Sequence, residues 1–584
     1  MTTTPKPISI STLLYRHSPV LLVFSMTIGA VAGALYSLII PFVLRALGAQ
    51  GGARSGAQFG ANVAPDSTAS VLGMAEGTGA AMFFLVCLLI LCAKALSVIL
   101  VNNIAKSAMA ELRLEIARKI NQMRIADVES VGFPRLLNVL IDDVNTVAAA
   151  AVAIPMVVVS AVTVVGMLGY LATMNFTVFV IVLTAIGVGV AMFQLPVAFA
   201  TRPYDQARSL RDVLQEGIRG LIMGVYELKL DRPKSRAYLQ QALAVPQRQS
   251  VRLEKLGDAV IHLAGTSSDL LAFFIIGLIV FVMPRYIPIP AVENYGVVMA
   301  LLYIAAPVAS ILGMMQHLRM GQVAIVRIHR LDAMEEESHA ATAAILPPWR
   351  QFSVREVSYR YPGQEPAAAD PGFALSPTTL SFEPGQINFI VGGNGSGKST
   401  LSKLISLHYQ SATGAVYFDD APLAAGQIDQ ARARIGVIFS NYYLFNQLYR
   451  SHTAADLENI TTWLRTLRLQ DKTCFVDGRF TTTKLSDGQR RRLALLVALL
   501  EDKDIYVFDE WAADQDPEFK QVFYREILPA MKSNNKLVIV ITHDDRYFDC
   551  ADRLIFMEEG RVVREQFQRA VNGAPTSSGA AIAA

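Results

Sequence analysis

Residues Gly392-Gly393-Asn394-Gly395-Ser396-Gly397-Lys398-Ser399-Thr400 follow the pattern GxxxxGK[ST]. Glycines at that spacing let main-chain N–H groups wrap phosphate oxygens, and a helix beginning inside the run adds its positive end. Lys398 is placed to reach the outer phosphates, and the Ser399 hydroxyl to ligate Mg²⁺. Context gives the pattern its weight. Ile387–Val391 reads as a short strand, apolar except for Asn388, and Leu401–His408 as an apolar helix.

A second strand, Ile505–Phe508, runs into Asp509-Glu510. Four apolar residues followed by an acid describe a buried strand that presents the Asp509 carboxylate to the same metal, with Glu510 next in line to polarise an attacking water. Two acids after a strand are common by themselves. Paired with a phosphate loop they point to nucleotide hydrolysis. Upstream lies Leu485-Ser486-Asp487-Gly488-Gln489, followed by a basic and apolar helix, Arg490–Leu500.

Taken in this order, the motifs resemble the ATP-binding-cassette family, whose signature LSGGQ has Asp487 in its third position here. The resemblance implies ATP and Mg²⁺ as cofactors and an α/β P-loop nucleotide domain. It also assigns roles to further positions. Tyr361 matches the aromatic that stacks on adenine, Asp516 the D-loop acid, and His543 the switch histidine that contacts the γ-phosphate. At the Q-loop glutamine position stands Ser440, too short for a glutamine's metal and water contacts, with Asn441 beside it. The stretches Phe508–Pro517 and Thr542–Phe548 are similar, more narrowly, to exporters of cyclic peptides, siderophore precursors and microcins, a subgroup that also lacks that glutamine.

Elements that could position this machinery fill the second half of the chain; the first half is different in kind. The 584 residues are 52% apolar and 17% charged, against about 25% charged in ordinary soluble proteins. Six apolar stretches are long enough to cross a bilayer: 19–47, 80–104, 147–173, 176–200, 259–283 and 295–318. Connection 105–146 carries six Lys/Arg and 201–256 eleven, whereas the opposite side holds only Arg45, Arg54 and Arg285. That bias places both termini and both long loops in the cytoplasm. Helical charge patterning in those loops predicts two hairpins that extend the membrane helices, with breaks at 131–134 and 231–233. The Gly/Ala/Ser-rich segment 48–79 reads as a flexible external loop.

The expected fold is therefore multidomain. An all-α, six-helix transmembrane domain (14–335) precedes an α/β P-loop domain (350–566) and a disordered tail (567–584). In the family, ATP lies between one domain's phosphate loop and another's signature, so Ser486, Gly488 and Gln489 imply a second copy as partner. Net charge of +3 gives no case for nucleic acid. Four scattered cysteines support neither a disulfide framework nor a zinc site. The expected function is ATP-driven export of a peptide-type substrate across a bacterial inner membrane. Import on the same scaffold and a regulatory membrane ATPase are the alternatives. Away from the span ends the charged residues and histidines are few, Lys94, His262 and Asp269, and sequence ties none of them to a ligand.

Overall fold

The computed structural model describes residues 18–56, 76–285, 291–332, 334–337, 346–361, 373–450 and 453–568, with Tyr15. Of the expected disordered tail, Phe567 ends a strand and Gln568 donates its N–H to the Asp552 carbonyl at 2.8 Å, because pairing carries the last strand to Phe567. The rest of the tail and the centre of segment 48–79 lie outside the described residues. Packing divides the chain into two compact units, 1–121 with 133–333, and 122–132 with 334–584.

The first unit is built on helices α1 (Pro19–Gly56), α2 (Glu76–Gln122), α3 (Val144–Met174), α4 (Phe176–Met223), α5 (Val245–Gly277) and α6 (Ala291–Asp332). Each runs past its apolar stretch at one end or both, because helical hydrogen bonding is satisfied equally in polar and apolar sequence. Thus residues 48–56 and 76–79, expected as loop, are helical. Among the described residues, five helices are long and apolar enough to cross a membrane. The fifth expected span lies in α5 and a following π turn, Leu278–Val282, which include the apolar helix Phe273–Val282. Between α3 and α4 the turn is set by Asn175, whose side chain accepts from the N–H groups of Thr177 and Val178.

Small residues let these helices approach closely. A Cβ on Gly33 would meet the Val159 carbonyl at 2.7 Å, and one on Gly166 the Ser37 hydroxyl at 2.5 Å. Ser25 and Ser97 each donate to the other's carbonyl, at 3.0 and 2.9 Å, joining α1 to α2. Beyond the membrane stretch, α4 and α5 are pinned by Tyr204 donating to Asp258 at 2.5 Å and by an Arg211–Glu254 pair at 2.7 Å. The expected break at 231–233 falls at Asp231, which caps the short helix Arg232–Tyr238.

The second unit holds a six-stranded sheet in the order β12-β11-β3-β10-β9-β6. Its strands are β3 (Ile387–Gly392), β6 (Ile435–Ile438), β9 (Ile505–Asp509), β10 (Leu537–Ile541), β11 (Arg553–Glu558) and β12 (Arg561–Phe567). All pair in parallel except β12, antiparallel to β11. A second, antiparallel sheet packs β2 (Ala374–Phe382), β1 (Phe352–Arg360), β4 (Thr413–Phe418) and β5 (Ala421–Pro422). Central strands β9 and β10 are buried at every residue, as unbroken apolar runs in a covered parallel sheet must be. The short helix Ile125–Val131 belongs to this unit and ends at Gly132, φ +81°. Its Glu129 accepts from Lys403 Nζ at 2.8 Å and from the Tyr409 hydroxyl.

Candidate active site

Parallel register assembles the site. Ile541 of β10 sits opposite Ile390 of β3 and Asp509 of β9, so β9 and β10 end level and β3 runs two residues further. The phosphate loop, the Asp509-Glu510 pair and His543 therefore emerge along one carboxyl edge of the sheet, where open α/β folds bind ligands.

Helix α7 (Lys398–Ile405) starts straight from the loop. Gly395 and Gly397 hold φ of +79° and +98°, a backbone that side chains rarely adopt. A Cβ on Gly392 would meet the Met557 carbonyl at 2.3 Å, whereas one on Gly393 or Gly395 would meet nothing within 4 Å. The loop is thus packed on one side and open on the other. Ser396 is buried and its hydroxyl has no protein partner. Lys398 Nζ donates to the carbonyls of Gly392 and Gly393 at 2.9 and 2.8 Å, folded over its own loop. These features fit a nucleotide polyphosphate. Tyr361, half-buried, places its hydroxyl 3.3 Å from that of Thr400 and its ring edge-on to Tyr359.

Ser399 Oγ lies 3.4 Å from Asp509 Oδ1, a pairing that fits a shared divalent cation. Asp509 is buried, and loss of solvent pushes its carboxyl above the usual range against the lowering effect of Ser399. Glu510 adopts φ +51°, a left-handed conformation costly for a side-chain-bearing residue. It is held there by its N–H donating to the Ile541 carbonyl at 3.1 Å. His543 is exposed at the end of β10.

Helix α8 (Asp487–Leu500) follows the signature. Ser486 and Gln489 form a reciprocal capping box, and Asp487 projects into solvent. Among the described residues no hydrogen bond joins Ser486, Gly488 or Gln489 to the phosphate loop. Their neighbours are residues 514–516: Gln515 Nε2 donates to the Gly488 carbonyl at 3.0 Å. Asp516 caps helix α9 (Pro517–Val522) through the Phe519 N–H at 2.8 Å, and also pairs with Arg492. Ser440 and Asn441 are exposed beyond β6.

Sequence reasoning overlooked a layer of residues behind these. Arg491 donates to the carbonyls of Glu510 and Trp511 at 2.5 and 3.1 Å and pairs with Asp514 at 2.6 Å. Lys520 of α9 reaches Asp544, the neighbour of His543, at 3.2 Å. Asp544 also takes a two-pronged bond from Arg546, both arms at 2.8 Å. The available signals were the Arg490-Arg491-Arg492 run and the acids spaced through 514–516.

A family profile described as ABC transporter matches residues 375–513. Against the ATP-binding protein SyrD of Pseudomonas syringae pv. syringae, the chain is 33% identical over 476 residues, which is 78% of this chain and 82% of SyrD. The chain belongs to the ABC transporter family. It is also 30% identical over 282 residues to the ATP-dependent lipid A-core flippase of Chromobacterium violaceum, covering 46% of each. The alpha-hemolysin translocation ATP-binding protein HlyB of Escherichia coli is 27% identical over 285 residues, 47% of this chain and 39% of HlyB. With its apolar helices, the chain is a multi-pass ABC exporter whose nucleotide domain binds ATP and couples its hydrolysis to transport.

Proposed function

We propose that this exporter moves a peptide-type substrate out of the cytoplasm as a homodimer, with its nucleotide domains and both termini inside a bacterial inner membrane. The placement of the signature carries the dimer reading. Ser486, Gly488 and Gln489 make their polar contacts with each other and with Gln515, not with the phosphate loop of the same chain. A second copy would bring its phosphate loop to that exposed helix end, giving two equivalent sites. The peptide reading rests on residues 508–517 and 542–548, similar to cyclic-peptide exporters, and the orientation on the Lys/Arg bias of the two long connections.

In each site the loop N–H groups and Lys398 bind the phosphates, and Tyr361 takes the adenine. Magnesium, held by Ser399 and Asp509, would neutralise charge on the outer phosphates. Glu510 orients the attacking water and accepts its proton, and His543 contacts the γ-phosphate. Closing and reopening of the pair drives alternation of the membrane helices. The test is reconstitution of the full chain in proteoliposomes with a labelled acyl peptide. ATP-dependent accumulation on the side away from the nucleotide domains is expected. Glu510→Gln should abolish turnover while trapping an ATP-bound dimer; near-normal ATPase in that variant, or movement toward the nucleotide domains, would overturn the reading.

A further inference from the structure

From Ala80 to Ala105, helix α2 carries a single charged residue, Lys94. Helical rise puts its Cα about 21 Å beyond Ala80, and helical side chains slant back toward the N-terminus. Accordingly, Lys94 shares a cavity of about 590 Å³ with Cys87 and Ile90 of the preceding turns and with Tyr36 of α1. The ammonium therefore lies near the middle of a stretch that crosses about 30 Å of hydrocarbon.

Its surroundings do not neutralise it. Lys94 Nζ is 5.6 Å from the Tyr36 ring centroid, and that ring is 6.1 Å from the ring of Tyr303 on α6. Among the described residues Lys94 has no carboxylate partner, and neither tyrosine hydroxyl has a hydrogen-bond partner. The side chain of Asp269 lies outside those residues. A ring face offsets only part of the cost of a cation at this depth. What remains is one ammonium and the Tyr36 phenol on an apolar wall, with Leu91 and Lys94 exposed on it.

We infer that Lys94 and Tyr36 form a subsite for the carboxylate of an amphiphilic, acyl-bearing peptide, with Tyr303 packed against the Tyr36 ring and the apolar wall taking the hydrocarbon. Charge balance selects that group. One ammonium matches a monoanion, whereas a phosphate monoester brings about −1.5 to −2 and leaves excess charge in the membrane. The inference deepens the peptide-export proposal and rests on it for the substrate's class.

The test is equilibrium binding to the full chain in phosphatidylcholine nanodiscs without ATP. Two probes are compared: a radiolabelled N-dodecanoyl pentapeptide with a free C-terminal carboxylate, and the same peptide as its C-terminal amide. The acid should bind about tenfold more tightly than the amide. Lys94→Gln should close that gap, and Lys94→Arg should keep it. A ratio near one in the unsubstituted protein overturns the proposal, whether or not any variant folds. So does a gap that survives Lys94→Gln, or one that Asp269→Asn abolishes equally, which would assign the ammonium to that carboxylate. Loss of the gap in phosphatidylglycerol nanodiscs would make a lipid the occupant and likewise overturn it. Binding is read apart from transport. Acid-selective binding without outward transport leaves the subsite standing and removes the export reading; transport without acid selectivity does the reverse.

Discussion

Arg491 donates from Nη1 to the main-chain oxygen of Glu510 at 2.5 Å. The donor sits one turn into the helix that begins at the signature, and the acceptor belongs to the proposed general base. The same guanidinium pairs with Asp514 at 2.6 Å, and Trp511 Nε1 returns a bond to the Arg491 carbonyl at 2.9 Å. Helix α8 and the segment after β9 are thus tied together by these bonds. In a homodimer, a signature seated on one nucleotide would hold the Glu510 of its own chain, which serves the other.

This relationship predicts a selective loss. Arg491→Gln should leave ATP affinity near its starting value, because Arg491 touches no part of the phosphate loop. Hydrogen bonds to charged groups contribute about 1.5–3 kcal/mol each, so losing the hold on Glu510 should lower kcat roughly 10- to 100-fold. Steady-state ATPase beside nucleotide binding separates the two. A raised Kd with unchanged kcat would contradict the assignment.

Behind that contact, Trp511 is fully buried, with its ring 4.3 Å from Phe523 and 6.2 Å from Phe519. Trp511→Ala should cost about 3–5 kcal/mol through the cavity it leaves. Trp511→Phe keeps most of the volume but forfeits the bond to Arg491, and should fold with reduced kcat. Thermal melts and ATPase on both variants check this. A stable Trp511→Ala would mean that the site collapses around the gap.

Much of this site was legible in local sequence, and the reason is physical. The strands of the core announce themselves as short apolar runs ended by a glycine, an acid or a threonine, so 387–391, 505–508 and 537–541 match β3, β9 and β10 within a residue. The breaks at Gly132 and Asp231 were likewise visible, since a left-handed glycine and a capping aspartate act locally. Arg491–Asp514 and Lys520–Asp544 were not. Each joins segments 23 or 24 positions apart, and only the packing of α8 and α9 under the sheet edge brings them together. The polar extensions of α2 and α4 were legible from their charge patterning. The ends at 48–56 and 76–79 were misjudged, because Gly/Ala/Ser-rich sequence reads as loop although the hydrogen-bond ladder of α1 and α2 runs through it.

Asp509 shows function set against stability. Its carboxyl is buried beside Glu510, and burial raises its pKa. For an acid shifted upward, the folded state gains stability below the unfolded pKa and loses it as pH rises through the folded value. At neutral pH the ionised group therefore burdens the nucleotide-free protein. Asp509→Asn should melt higher than the parent at pH 7 without nucleotide, with the difference vanishing toward pH 4, and should lose ATPase. A lower melting temperature at pH 7 would show that the carboxylate is better compensated than its burial implies.

Asp544 behaves in the opposite sense. Arg546 and Lys520 hold its carboxyl down to about 2, so it stays ionised throughout the working range. Its stabilising contribution is complete above the unfolded value of about 3.9 and is lost as pH falls through about 2. The ATPase profile between pH 5 and 9 should therefore owe none of its shape to this group. Yet Asp544 borders His543, and Thr542 on the other side bonds to Tyr524 at 3.0 Å. Both flanks of His543 are thus anchored. Lys520→Met removes one anchor and should reduce kcat about tenfold with KM for ATP little changed, and Lys520→Arg should restore most of it. The profile of Lys520→Met should keep the parent's shape at lower amplitude. A changed shape would mean that Lys520 titrates or contacts nucleotide directly, and that His543 is positioned by other means.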